Sequence, residues 1–267
     1  MSAPRSLSLT CLALLAAAWC AGAGARGLTV CVADTSYLPI SVPGYEAPGQ
    51  ALARQAFEHQ RQQVAFVVAP WRRCLLGAEA QEYDAVLGAA PNPSFAPFLA
   101  FPTREGKADP QQRLAQVTLV VLRRAGARAS WDGERFEFLT LPVLYGAGLV
   151  IVRDKLAILG VAANDSAKTP GQLMRMLVAG RADVVVIHRA EAEAMLESTE
   201  FAGKIDLLET PFVTFDAYLA VRRSLLAAQP ELVKAIWNDI ARMAAAPAWA
   251  GQRQLLMARI PAMAVRP

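Results

Sequence analysis

Short apolar runs alternating with helical patterns constrain this chain more than any other feature. Leu28 to Ala33 is an apolar, β-rich run, and a loop rich in Pro and Gly leads through Pro48 to a helical pattern over Gln50 to Gln60. Val64 to Ala69 predicts a second, buried strand ended by Pro70, Trp71 to Ala80 a second helix, and Tyr83 to Gly88 a third strand. Strands separated by helices fold as crossover units, so this β-α-β-α-β order predicts an open α/β sheet with parallel strands and covering helices.

The alternation breaks and then resumes. Pro91, Pro93, Pro97, Pro102 and Pro110 make the next twenty positions an irregular connection, followed by a strong strand over Ala115 to Leu122 and a polar, turn-rich stretch over Arg123 to Arg135. Val143 to Tyr145 then reads as a strand, Gly146-Ala147-Gly148 as a tight turn, and Leu149 to Leu159 as a helix. Thr169 with Pro170 opens another helix that Gly180 ends before the strand Ala182 to Ile187. Lys204 to Leu208, an apolar strand over Ala217 to Val221 and helices over Pro230 to Ala245 and Trp249 to Arg259 complete the chain. Two α/β halves joined by extended segments place a cleft between two lobes.

The first 25 residues stand outside this pattern. A cationic start at Arg5, the apolar run Leu9 to Cys20 and the small residues Ala23-Gly24-Ala25 have the order of a secretory signal peptide, with cleavage expected after Ala25. The run is shorter than the roughly 20 apolar residues that span a bilayer, and Trp19 ahead of Cys20 argues against a lipid anchor. The 54% apolar content, inflated by this segment and by alanine, therefore fits an exported globular protein in the periplasm. Cleavage takes Cys11 and Cys20 away and leaves Cys31 and Cys74 in an oxidising compartment, where they form either one disulfide or two buried thiols.

Charge and metal-ligand content exclude several function classes. The formal charge of +4 comes from scattered basic residues with no run longer than a pair, so no nucleic-acid partner is expected. His59 and His188 are the two histidines, and two cysteines 43 positions apart make no zinc pattern, so neither a metal nor a cofactor is expected. No nucleophile elbow or phosphate loop is present.

The motifs Pro70-Trp71-Arg72-Arg73-Cys74-Leu75, Tyr83-Asp84-Ala85, Phe101-Pro102 and Gly180-Arg181-Ala182-Asp183-Val184-Val185-Val186 together resemble the extracytoplasmic solute-binding proteins of the polar amino-acid transporter type. The likeness implies a two-lobed periplasmic-binding-protein-like fold, each lobe an open mixed sheet flanked by helices and joined by two hinge strands. It implies lobe one over 26 to 120 with 209 to 267, and lobe two over 121 to 208. It also implies a monomer that captures a small-molecule solute for a membrane permease or other membrane partner. In amino-acid-binding members an arginine ahead of the Phe-Pro pair grips the ligand carboxylate and an aspartate after the Asp-Ala-Val-Val strand receives its ammonium; here those positions hold Phe95 and His188. An unpaired carboxylate or ammonium in a closed cleft costs several kcal/mol, so an ordinary amino acid is not the expected ligand.

Ligands in open α/β sheets sit beyond the carboxyl ends of the strands. That rule selects Asp34 and Tyr37 after the first strand, Trp71 after the second, Asn92 and Phe95 after the third, Tyr145 and Gly146 in the second half, and His188 with Arg189. Trp71 and Phe95 offer faces for stacking on a planar ligand, or pack between helices. The N–H groups of Gly146-Ala147-Gly148 could hold an anion, or simply turn the chain into a helix. Asp34 accepts from a ligand or closes a turn. Asp34 with His188 is the one acid/base pair for a cyclohexadienyl-dehydratase type of enzyme, the alternative to a non-enzymatic binding protein, with a sensory or accessory module as a third reading.

Overall fold

The computed structural model describes residues 27–260; the expected signal peptide and cleavage site lie outside the described residues. In the first half, strands β1 (Leu28–Ala33), β2 (Val64–Ala69) and β3 (Ala85–Ala89) alternate with helices α1 (Pro48–His59) and α2 (Trp71–Glu79). Short strands β4 (Leu99–Ala100), β5 (Thr103–Arg104) and β6 (Lys107–Ala108) lie within the proline-rich connection, ahead of the long β7 (Ala115–Arg124). A small hairpin of β8 (Ser130–Trp131) and β9 (Phe136–Glu137) leads into β10 (Val143–Tyr145), α3 (Val150–Ile158), β11 (Ala163–Asn164), α4 (Pro170–Val178), β12 (Val184–His188), α5 (Arg189–Leu196) and β13 (Ile205–Leu207). The chain returns through the long β14 (Val213–Arg222) and ends in α6 (Arg223–Ala228), α7 (Pro230–Ala245) and α8 (Pro247–Ala258).

Ten strands make one continuous sheet with β11-β10-β12-β7-β14-β3-β1-β2 as its path, β13 pairing with β7 and β4 with β14. At one end β1 is parallel to β2 and β3, and at the other β10 is parallel to β11 and β12. The two ends meet through the antiparallel pair β7 and β14, in which Leu119 opposes Val213 and Ala115 opposes Ala217. Beyond that ladder β7 pairs with β12, where Leu119 opposes His188, and β14 pairs with β3, where Tyr218 opposes Ala89. These two strands are the hinge between two lobes.

Each lobe is covered on both faces of its sheet, which explains why the central strands are near-continuous apolar runs. In β7 and β12, Val120, Leu122, Val185 and Ile187 face Leu173 and Leu177 of α4, while Leu119, Val121, Val184 and Val186 face Leu156 of α3, Trp131 and Phe212. In lobe one, Val30, Leu87 and Leu219 pack on Leu52 and Phe57 of α1 and on Ile236 and Trp237 of α7, and the opposite face packs Cys31, Val86 and Ala220 against Cys74 of α2. Each such aliphatic side chain stabilises the fold by about 1.5–3 kcal/mol on burial.

Two expectations change. β2 is only half buried, with Val68 55% exposed, because it is the edge strand of the sheet and α1 covers one of its faces. The hinge strands are longer than their apolar stretches, since Thr214 and Asp216 of β14 are exposed or half-buried while their backbones still pair with β7. Cys31 and Cys74 are bridged, with Cα atoms 5.4 Å apart. No described helix is long and apolar enough to cross a membrane.

Candidate ligand-binding site

The carboxyl ends of the parallel strands of both lobes border one cavity of about 140 Å³, which Ala33 at the end of β1, Gly88 in β3, Ala147 after β10 and His188 at the end of β12 help to line. A cavity of roughly 150 Å³ takes a benzene ring. Tyr37, Trp71 and Phe95 of lobe one and Phe215 of hinge strand β14 give it an aromatic character, and the start of α3 closes the opposite side with Leu149, Val150 and Ile151.

The wall from lobe one has its polar groups largely satisfied, Ser36 Oγ excepted. The Tyr37 hydroxyl donates to the carbonyl of Gly88 at 3.1 Å. Burial, and secondarily the charge of Glu191, raises the Tyr37 pKa far above the ordinary phenol value, so the ring stays a neutral donor. Gly88 has φ +83, and a Cβ there would stand 2.7 Å from both Ile40 Cγ2 and Tyr37 Cε1. Glycine is therefore required for Tyr37 to lie against the strand end. Trp71 begins α2 directly after Pro70, and one turn later Cys74 ties the helix to Cys31 of β1. Asn92 Oδ1 accepts from the Ser94 N–H at 2.8 Å, which holds the loop that presents Phe95 over the disulfide cluster.

The wall from lobe two is polar and incompletely satisfied. His188 directly precedes α5, its Nδ1 is 3.3 Å from Oε2 of Glu191 one turn into the helix, and its ring lies 5.0 Å from the Tyr37 ring. Behind it a recess of about 60 Å³ continues the cavity, with Thr35, Ser36, Ala147, Leu149 and His188 shared by the two and Gly146, Lys168 and Glu191 added. His188 Nε2, Glu191 Oε1 and Ser36 Oγ are buried and make no hydrogen bond among the described residues. Each unsatisfied buried polar group costs about 1–3 kcal/mol, and three on the walls of one cavity mark where a polar ligand group would repay that cost.

Of the residues selected from the sequence, Tyr37, Trp71, Asn92, Phe95 and His188 line the main cavity and Gly146 lines the recess. Three do not line either. Asp34 is exposed and its N–H continues the ladder to the carbonyl of Ala69 at 3.0 Å. Tyr145 is buried in the lobe-two core, because side chains alternate along β10 and its position falls on the α3 face. Arg189 sits on the outside of α5, 3.5 Å from Glu193 one turn on. No hydrogen bond or ion pair joins Asp34 to His188 among the described residues; the carboxylate at His188 is that of Glu191. Within the glycine turn the Ala147 N–H goes to the carbonyl of Ala167, and the Leu149 and Val150 N–H groups that follow go to those of Gly146 and Gly148. Ser36, Glu191 and Phe215 were not selected. The spacing of His188 and Glu191 across the first helical turn was the one signal that could have found Glu191. Among the described residues no group of His, Cys, Asp and Glu is placed to hold a metal ion.

No protein-family model matches the chain, and no curated protein matches it in sequence. Solved structures do match in fold. An amino acid ABC transporter substrate-binding protein from Streptococcus pneumoniae bound to L-arginine aligns over 87% of this chain and 95% of its own, with TM-score 0.65 and 13% identity. A binding component of an ABC transporter from Wolinella succinogenes complexed with lysine aligns over 88% and 95%, with TM-score 0.65 and 14% identity. A histidine kinase sensor domain with similarity to periplasmic binding proteins aligns over 88% and 95%, with TM-score 0.63 and 17% identity.

Proposed function

We propose that this chain, which has the type II periplasmic-binding-protein fold, is a periplasmic solute-binding protein that captures a small polar or aromatic solute between its lobes and hands it to a membrane transporter. The observation that carries the reading is the convergence of four strand ends, aromatic faces and three unsatisfied polar atoms on one interlobe cavity. We assign lobe one to 26–120 with 209–267 and lobe two to 121–208, and ligand contact to Tyr37, Trp71, Asn92, Phe95, Gly146 and His188. Hinge closure about β7 and β14 would bring the lobe-two wall onto a solute resting on lobe one, the motion by which periplasmic binding proteins enclose their ligands.

The test is a thermal-shift screen of the chain purified from residue 27 onward against metabolite pools, with mass spectrometry of any solute retained through purification. A retained or stabilising small solute, lost on His188→Ala, supports the reading. Failure of every pool to raise the melting temperature sinks it. The likeness to a kinase sensor domain supports a second reading, in which the closed form is presented to a signalling partner. Retrieval of a permease or of a kinase on the immobilised, ligand-loaded protein decides between them.

A further inference from the structure

Anion-binding and cation-binding groups are unequally spent around the recess behind His188. Several of the donors that could hold a carboxylate are already used. Besides the turn at 146–148, Thr169 Oγ accepts the Gln172 N–H at the start of α4, and the Lys168 N–H donates to Gln172 Oε1 at 3.0 Å. No arginine or lysine lines the main cavity among the described residues, and Lys168 at the recess is exposed.

The acceptors are left over. Glu191 is 2% exposed, His188 6%, and their mutual contact engages one carboxylate oxygen and Nδ1. A carboxylate oxygen can only accept, so Nδ1 carries the proton of this contact, and Nε2 on the far side of the ring is left without a partner. Glu191 Oε1 is therefore a buried, unpaired acceptor on one small recess, beside the unpaired His188 Nε2 and the Ser36 hydroxyl, which can take either role. A negative buried carboxylate with one oxygen unpaired favours a ligand that brings both N–H groups and positive charge.

We propose that this recess is a subsite for a cationic nitrogen group, an ammonium or amidinium, held by Glu191 and His188, on a ligand whose flat apolar body occupies the aromatic cavity and which carries no carboxylate beside that nitrogen. The assignment rests on the cleft being a solute site. Glu191 sets the charge preference and the aromatic rings of Tyr37, Trp71, Phe95 and Phe215 set the shape. Their faces also attract a nearby cation.

Calorimetry of the wild-type chain with 2-phenylethylamine, 2-phenylethanol, 3-phenylpropionate and L-phenylalanine tests it without any variant. The amine is expected to bind at least tenfold more tightly than the other three. Equal or tighter binding of the acid or the amino acid overturns the proposal, as does absence of amine binding. In Glu191→Gln, with folding checked by circular dichroism, the amine should fall to the level of the alcohol; an amine preference that survives also overturns it. The two levels of failure separate cleanly. If the amine fails but metabolite pools still stabilise the protein, the solute-binding reading stands and the cationic subsite falls; if nothing stabilises it, both fall.

Discussion

The two walls of the cleft are made on opposite plans. On lobe one, the shape is fixed by covalent and steric means: the Cys31–Cys74 bridge, a glycine with no room for a Cβ, and a tyrosine hydroxyl already bonded to backbone. On lobe two, His188 and Glu191 are held by strand and helix, yet each leaves one polar atom unanswered. The difference teaches where stability and selectivity reside. A wall satisfied but for the Ser36 hydroxyl contributes to folding and offers a ligand mostly surface; one with an unpaired carboxylate oxygen and ring nitrogen subtracts from folding and offers a ligand chemistry.

Mutations can break or sharpen that contrast. The largest effect is expected from Cys31→Ser with Cys74→Ser, which reopens a 43-residue loop and should remove about 4 kcal/mol in urea denaturation on the chain-entropy estimate. A loss under about 1 kcal/mol would mean that the lobe-one wall does not depend on the bridge. Gly88→Ala comes next. A side chain at positive φ costs about 1–2 kcal/mol, and overpacking against Ile40 and Tyr37 adds roughly 1–3, so the expected loss is about 3 kcal/mol together with impaired solute binding. Tyr37→Phe should cost about 1 kcal/mol for the single hydrogen bond to Gly88, and its binding loss should be smaller than that of His188→Ala.

Glu191→Gln should change the stability of the ligand-free protein by less than about 1 kcal/mol in either direction, because it removes a poorly satisfied buried carboxylate. A large destabilisation of the ligand-free state would show that Glu191 is structural and collapse the contrast.

Acid provides the smallest and most symmetrical test. At Asp183 of lobe two burial raises the carboxyl pKa, but N–H groups of Thr140 and Leu141 and the Thr140 hydroxyl outweigh it. At Asp239 of α7 burial is likewise outweighed, by Arg242, Gln60 and His59. Both carboxyls end below their ordinary value. Their contribution is therefore full above the unfolded pKa of about 4 and lost as pH falls through the lower folded value. Thermal melts below pH 4 should show the loss in both lobes, reduced in Asp183→Asn and in Asp239→Asn.

The strand ends that frame the cleft were legible because apolar runs bounded by Pro and Gly mark strands well: β1, β2 and β10 begin and end where those runs do. The half-exposure of β2 was not, since nothing in a run of Val, Ala and Phe tells an edge strand from a central one. Two-residue strands such as β8 and β9 are too short to carry a period. In the site, the rule of strand ends found His188 and the aromatics but overreached to Tyr145, because it ignores which face a side chain takes. Glu191 in the first turn of a helix reads as an ordinary surface acid that suits the helix dipole. Its burial is a product of tertiary packing.

The register of the hinge adds a mechanical consequence. Leu119 opposes His188 on one side and Val213 on the other, so the imidazole is carried by the strand immediately beside the β7–β14 pair, about which the proposed closure would turn. Neighbouring strands are about 4.8 Å apart. With so short a lever, a ligand that draws His188 by about 1 Å corresponds to roughly 12° of rotation at the spine, and a slight local pull becomes a wide swing at the far rim of lobe two.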